Sequence, residues 1–242
     1  MNRIAKHTAD FYKKVLFTNR CRLCGAVISP VDTICEDCEN ARRPSGTLCP
    51  KCGLTKDVCK CKNSGHICEY KEFAAPFYFE GSIAMGLVRF KNSGYKELCS
   101  EYSKEIANCV KERFKDAEFD CVTYVPMRKM REFRRGYNQA KLLAQGVADE
   151  LGLPLKDLLI KVHHTRTQRG SSAKERRVNL HGAFDLAPNK EVDDKCILII
   201  DDVKTTGSTL NECAFTLRAF NAKTVYAASV AVVDEKKKEI AK

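Results

Sequence analysis

Ile197-Leu198-Ile199-Ile200-Asp201-Asp202-Val203-Lys204-Thr205-Thr206-Gly207-Ser208-Thr209-Leu210 decides the fold class of this 242-residue chain. Four consecutive apolar residues read as a strand buried on both faces, the pattern of a parallel sheet flanked by helices. Two acids stand at its carboxyl end, followed by a run of Thr, Gly and Ser and then a helix-forming segment. In open parallel sheets, ligands bind beyond the carboxyl ends of the strands. A loop running into a helix start offers free backbone N–H groups and a favourable dipole for phosphate. Thr205, Thr206, Ser208 and Thr209 add hydroxyl donors, and Gly207, lacking a side chain, lets the backbone approach closely. Asp201 and Asp202 have a different task. Carboxylates accept hydrogen bonds, so the acids suit the two hydroxyls of a ribose rather than its phosphate. The stretch therefore reads as a sugar-phosphate site. A merely capped helix start would also favour Ser and Thr, but it leaves two acids at the end of a buried strand unexplained. No Gly-Lys-Ser/Thr follows the glycine, which excludes a Walker loop, and the dinucleotide fingerprint is absent.

The segment resembles the binding signature of type I phosphoribosyltransferases: an apolar strand, two acids, an apolar residue, any residue, then Thr-Thr-Gly-x-Thr. The resemblance implies that Asp201 and Asp202 hold the 2′ and 3′ hydroxyls of phosphoribosyl pyrophosphate. It also implies that residues 205–209 wrap the 5′-phosphate.

Around this strand the chain alternates strand and helix patterns. Residues 74–79, 121–125 and 224–233 read as strands, the second stopped by Pro126. Residues 81–91, 95–114, 138–151 and 210–220 read as helices, the first capped by Ser82 and the third closed by Gly152 and Pro154. Such alternation implies an α/β domain with a mostly parallel sheet. Four Arg and one Lys crowd residues 126–139, read as a loop between a strand end and a helix. That position favours a polyanion, because Arg offers bidentate contacts to phosphate oxygens. Residues 163–184 are polar, basic and poorly periodic, the pattern of a lid or binding loop. His163 and His164 have no paired carboxylate in the sequence pattern and read as incidental.

The chain holds 14 cysteines, nine of them between Cys21 and Cys68. The N-terminus lacks the apolar core of a signal peptide, and no run approaches the ~18 apolar residues of a membrane span. The expectation is a cytoplasmic protein without membrane insertion, whose cysteines serve metal rather than disulfides. Cys21-x2-Cys24 and Cys35-x2-Cys38 have the spacing of two knuckles around one tetrahedral, closed and therefore structural zinc. A second set follows: Cys49-x2-Cys52, then Cys59-x-Cys61, with Cys68 and His66 as alternative ligands. Metal would supply most of the folding free energy of so small a module. Cys99, Cys109, Cys121, Cys196 and Cys213 lie in helix and strand patterns and read as small core residues. The net charge of +11 attracts phosphates in general and does not choose among them. Basic residues in the cysteine-rich part could meet nucleic acid, but residues 18–69 contain no aromatic side chain for base stacking.

Taken together these features resemble the ComF family, close to its ComFC competence members. The match runs through the cysteine knuckles, Phe90-Lys91, Val125-Pro126, Arg131 and Arg135-Gly136-Tyr137-Asn138-Gln139. It continues through Thr165-x-x-Gln168, Arg176, Asn179, Gly182-Ala183-Phe184 and the acid-pair signature. Tyr137 stands where Phe is commoner, and Ser171 where Leu is. The resemblance implies a type I phosphoribosyltransferase fold over residues 73–234, a double zinc-ribbon-like module over 18–72, an N-terminal segment 1–17 and a basic tail 235–242. It further implies two structural zinc sites, Mg²⁺ bound with phosphoribosyl pyrophosphate, pyrophosphate contacts from Arg131 and Arg135, and a link to uptake of single-stranded DNA. The acceptor of phosphoribosyl transfer and the catalytic residues stay unidentified. The rival expectation is a non-catalytic module that senses phosphoribosyl pyrophosphate while engaging single-stranded DNA or a partner helicase.

Overall fold

The computed structural model describes residues 19–59, 61, 68–92, 94–162 and 182–234. Its centre is a five-stranded parallel sheet. In chain order the strands are β3 (Phe73–Ala74), β4 (Phe77–Tyr78), β5 (Cys121–Tyr124), β8 (Cys196–Lys204) and β9 (Thr224–Val232). Across the sheet they run β3-β9-β8-β5, with β4 also paired to β9. The segment 74–79 is thus two short strands rather than one. They break at Ala75-Pro76, where proline has no N–H to give a ladder.

Helices α2 (Gly81–Asn92), α3 (Leu98–Arg113), α5 (Gln139–Leu151) and α6 (Ser208–Ala219) surround the sheet. α3 and α5 pack together against β5, β8 and β9, and α6 packs against β8 and β9. Ile197, Leu198, Ile199 and Ile200 are all fully buried, so both faces of the sheet are covered. Each such side chain stabilises the fold by about 1.5–3 kcal/mol relative to exposure. Asn138 caps α5, its side chain accepting the Ala140 N–H at 3.0 Å and donating to the Val125 carbonyl at 3.2 Å. Ser82 does not cap α2. It lies inside the helix, and its hydroxyl donates to the Asp37 carbonyl.

Two elements escape the sequence patterns. Residues 129–135 form a short helix, α4 (Lys129–Arg135), closed by Gly136 at φ +80°. The loop expected over 126–139 is therefore corrected. α4 buries no residue, so it carries no apolar stripe to betray it. An antiparallel pair, β6 (Leu159–Lys161) and β7 (Phe184–Leu186), flanks residues 163–181, which lie outside the described residues together with His163, His164, Thr165, Gln168, Arg176 and Asn179.

The cysteine-rich part opens with the antiparallel pair β1 (Asn19–Arg20) and β2 (Val27–Ile28), followed by the four-residue helix α1 (Glu36–Glu39). Among the described residues no helix is long and apolar enough to cross a membrane.

Candidate functional site

β8 is longer than its apolar run. It continues through Asp201 and Asp202 to Lys204 because β9 runs beside it that far, pairing Lys204 with Val232. On its other side β5 stops at Tyr124, opposite Ile200. Pro126 then turns the chain away. The acids thus lie on a strand edge whose neighbour has ended, a crevice at the carboxyl end of a parallel sheet.

A cleft of about 980 Å³ opens there. Its walls include Asp201, Asp202 and Thr209, the basic residues Arg128, Arg131, Arg134 and Arg135, and Lys91 and Lys161. Of the residues singled out in the sequence, Asp201, Asp202, Thr209, Arg131 and Arg135 share this cleft. Thr205, Thr206, Gly207 and Ser208 form the adjoining turn and are not part of its wall. The sequence reading missed Lys91 and Lys161. Lys91 ends α2 and places its Nζ 3.0 Å from Asp202 Oδ2. Arg135 donates to Gln139 Oε1 at 2.7 Å, which fixes the last turn of α4 against α5. The hydroxyl of Tyr137 donates to the Phe90 carbonyl, a bond phenylalanine could not make, and so ties the cleft wall to the end of α2.

Burial and the neighbouring Asp202 carboxylate push Asp201 up to about 8; the Asp202 N–H, 2.8 Å away, Lys91 and Lys161 oppose the shift without overcoming it. A carboxyl held this way keeps its proton to higher pH in the free site than an ordinary aspartate does. A ligand that needs the carboxylate must displace its proton.

The turn after the acids meets a helix start. Gly207 has φ +84° and precedes α6 without a side chain to cap it; the Ser208 N–H meets Thr206 Oγ1 at 3.4 Å. A Cβ there would sit 2.7 Å from Lys204 Cε and 3.4 Å from the Tyr70 hydroxyl, so both conformation and space demand glycine. Thr206 Oγ1 lies 2.9 Å from Ser208 Oγ. Amides and hydroxyls gathered at a helix start are chemically suited to an anion.

The cysteines gather into two groups. Cys21, Cys24, Cys35 and Cys38 form one, and Cys49, Cys52, Cys59 and Cys61 the other; within each, the sulfurs all lie within 4.8 Å of one another. Sulfur pairs at 3.6 Å (Cys24–Cys35) and 3.5 Å (Cys52–Cys59) approach the roughly 3.8 Å edge of a zinc tetrathiolate tetrahedron. The knuckles repeat one turn. Gly25 N–H donates to the Cys21 carbonyl and Gly53 N–H to the Cys49 carbonyl, both at 2.8 Å, with φ of +73° and +74°. Burial opposes ionisation of Cys21, but the amides of Cys35, Cys24 and Leu23 outweigh it and bring the thiol down to about 7. Cys49 reaches about 7 in the same way, against burial, through the amides of Cys52 and Lys51 and the Cys59 and Cys52 side chains. Burial drives Cys24 and Cys61 up to about 11 and Cys38 and Cys52 higher still. A divalent cation supplies the charge that lets all four thiols ionise, so the donor set fits zinc. Cys68 stands apart from the second group, near Tyr70, and His66 lies outside the described residues. Metal analysis of the purified chain is expected to give about two zinc ions per molecule. Cys59→Ser should lose one and Cys68→Ser none, and retention of both after Cys59→Ser would reassign the ligands. Of the scattered cysteines, Cys121 and Cys213 are buried and Cys99, Cys109 and Cys196 half-buried.

Comparison with known proteins bears on this geometry. The family described as Phosphoribosyl transferase domain matches residues 138–242. The DNA utilization protein YhgH of Escherichia coli O157:H7 is 31% identical over 205 residues, covering 79% of this chain and 87% of that protein. The chain belongs to the ComF family. Another ComF relative, Competence protein F of Haemophilus influenzae, is 45% identical over 108 residues, covering 44% of this chain and 47% of that protein. Competence protein ComFC of Bacillus subtilis is 26% identical over 201 residues, covering 78% and 79% respectively. The ComF chain described here thus spans about half the length of the Haemophilus relative and most of the other two. Its fold is that of a type I phosphoribosyltransferase with two four-cysteine groups toward the N-terminus.

Proposed function

We propose that the cleft binds phosphoribosyl pyrophosphate with Mg²⁺ and that the protein is a phosphoribosyltransferase serving DNA uptake. The observation that carries this is the acid pair on the open edge of β8, followed at once by the amide and hydroxyl turn at the start of α6. Asp201 and Asp202 take the ribose hydroxyls, and residues 205–209 surround the 5′-phosphate. Arg131 and Arg135, with Arg128 beside them, face the pyrophosphate from α4 and its approach. Mg²⁺, brought with the ligand, would offset the charge of the pyrophosphate oxygens. Displacing pyrophosphate from the anomeric carbon builds positive charge on the ribose ring. The chain's part is then positioning and charge stabilisation. The link to DNA rests on the names of the relatives, DNA utilization protein and Competence protein.

Calorimetry with phosphoribosyl pyrophosphate and Mg²⁺ across pH tests the assignment. Because Asp201 is raised to about 8 in the free site and must ionise to serve the ribose, affinity should climb as pH rises from 6 to 8. Binding near pH 7 should release a proton. A flat profile with no proton release would remove Asp201 from the contact.

A second function fits the helix that walls the cleft. α4 carries Arg131, Arg134 and Arg135, and leaves Met130 79% and Phe133 89% exposed. A basic helix with a free aromatic ring suits a single strand, whose phosphates pair with arginine and whose bases stack. Fluorescence anisotropy should show weak, sequence-independent binding of a labelled oligonucleotide that falls steeply with salt. Arg131→Ala with Arg135→Ala should weaken it, and phosphoribosyl pyrophosphate should compete. Tight binding indifferent to both would move the DNA surface elsewhere.

A further inference from the structure

The turn that would hold the 5′-phosphate rests on the second cysteine knuckle. Tyr70 lies beneath Gly207, 3.4 Å from where a Cβ would stand, and its hydroxyl donates to the Lys51 carbonyl at 2.8 Å. Lys51 sits in the turn between Cys49 and Cys52. The preceding carbonyl of that turn, Pro50, accepts the Phe73 N–H at 2.8 Å. Gly53, one residue past Cys52, lies against the Phe73 ring so closely that a Cβ would meet it at 2.7 Å. Lys204 is buried with its Nζ 5.1 Å from the centroid of the same ring. The Glu69 N–H donates to Asn211 Oδ1 at 2.8 Å, tying the chain that leaves the knuckle to the first turn of α6. Turn 50–53, segment 69–73 and loop 204–208 therefore form one stack.

The knuckle itself has little to hold its shape without metal. Among the described residues around its four thiols, Cys52, Gly53 and Leu54 are buried and the others are exposed or half-buried. Its backbone bonding is two small turns: Cys49 N–H to the Leu54 carbonyl and Gly53 N–H to the Cys49 carbonyl at 2.8 Å, and the Val58 and Cys59 N–H groups to the Thr55 carbonyl at 3.2 and 3.0 Å. The first cluster is placed differently. Its carbonyls at Cys24, Asp37 and Leu23 accept from Arg89, Ser82 and Tyr102, on α2 and α3.

We infer that metal at Cys49, Cys52, Cys59 and Cys61 and a sugar 5′-phosphate on the 204–209 turn are coupled through Tyr70. The second knuckle is the floor that fixes the phosphate cradle, and the inference rests on the proposed reading of that turn. Coupling of this kind is reciprocal: the metal tightens the ligand, and the ligand holds the metal.

The test follows zinc transfer from the full-length, zinc-loaded chain to a chromogenic chelator, with and without phosphoribosyl pyrophosphate and Mg²⁺. Calorimetry on the same sample records whether the ligand binds. Of the two release phases, the one missing in Cys59→Ser should slow about fivefold or more with ligand, and the other should not change. Tyr70→Phe should keep both ions and lose most of the slowing. Should Cys59→Ser fail to fold, Tyr70→Phe decides alone. If the ligand binds but neither phase responds, or if only the first cluster's ion responds, the coupling is overturned. Full slowing in Tyr70→Phe overturns the route through Tyr70. If the wild-type chain shows no binding by calorimetry, the phosphoribosyl site itself is misassigned and the inference falls with it.

Discussion

Asp201→Asn combined with Asp202→Asn should weaken phosphoribosyl pyrophosphate binding by orders of magnitude while the chain stays folded. This is the largest effect expected of any cleft substitution. Each ribose contact is a charge-assisted hydrogen bond of about 1.5–3 kcal/mol, so losing both weakens affinity by roughly 10²–10⁴-fold. The fold does not need the Asp201 charge. Asp201 ionises only against burial and the nearby Asp202 carboxylate. Its folded value lies above the ordinary carboxylate value of about 4. The free protein therefore loses stability as pH rises between that value and about 8. Asp201→Asn alone should raise the melting temperature at pH 8 and change little at pH 4. Unchanged affinity in the folded double variant would sink the ribose assignment.

Stripping metal from both cysteine groups has the second large effect. Structural zinc in small modules is worth on the order of 10 kcal/mol per site. The elements here cannot stand without it. β1 and β2 share two residue pairs, and α1 has four residues, too short to persist alone. The damage should spread, because the first cluster's loops are bonded to α2 and α3. Scanning calorimetry after chelation should show the main transition lowered by more than 10 °C, since even about 1 kcal/mol shifts the midpoint of a chain this size by 2–4 °C. Limited proteolysis should begin between residues 19 and 61. Identical melting curves with and without chelator would show that the thiols fold unaided.

How much of this was legible in the sequence follows from the range of the forces involved. β8 and its acids were legible because an apolar run with a sharp polar end is a local signal. The cysteine groups were legible because their ligands come in close pairs, three residues apart in 21/24, 35/38 and 49/52 and two apart in 59/61. α4 was not, since a short helix that buries nothing leaves no periodicity. β6 and β7 were not, since each is three residues long and its pairing partner is distant in the chain. The sequence favoured Cys61 and kept Cys68 as a substitute, and the fold brings Cys61 to the other three thiols. Lys91 was legible as part of the Phe90-Lys91 match but not as a site residue, because its partner Asp202 lies far along the chain and meets it only in the fold.

That ion pair has a consequence for which molecules the cleft admits. Before any ligand arrives, an ammonium already stands at Asp202, 3.0 Å from its oxygen. It is a resident placeholder. A neutral sugar that took this oxygen in its place would leave the acid with less positive charge than before. A ligand escorted by its own divalent cation suffers no such deficit, because the newcomer's charge replaces the lysine's. Lys91, once displaced, is then free to turn toward the anionic end of the same ligand. The cleft would thus screen its visitors by the charge they carry with them, rejecting bare ribosides before shape is ever compared.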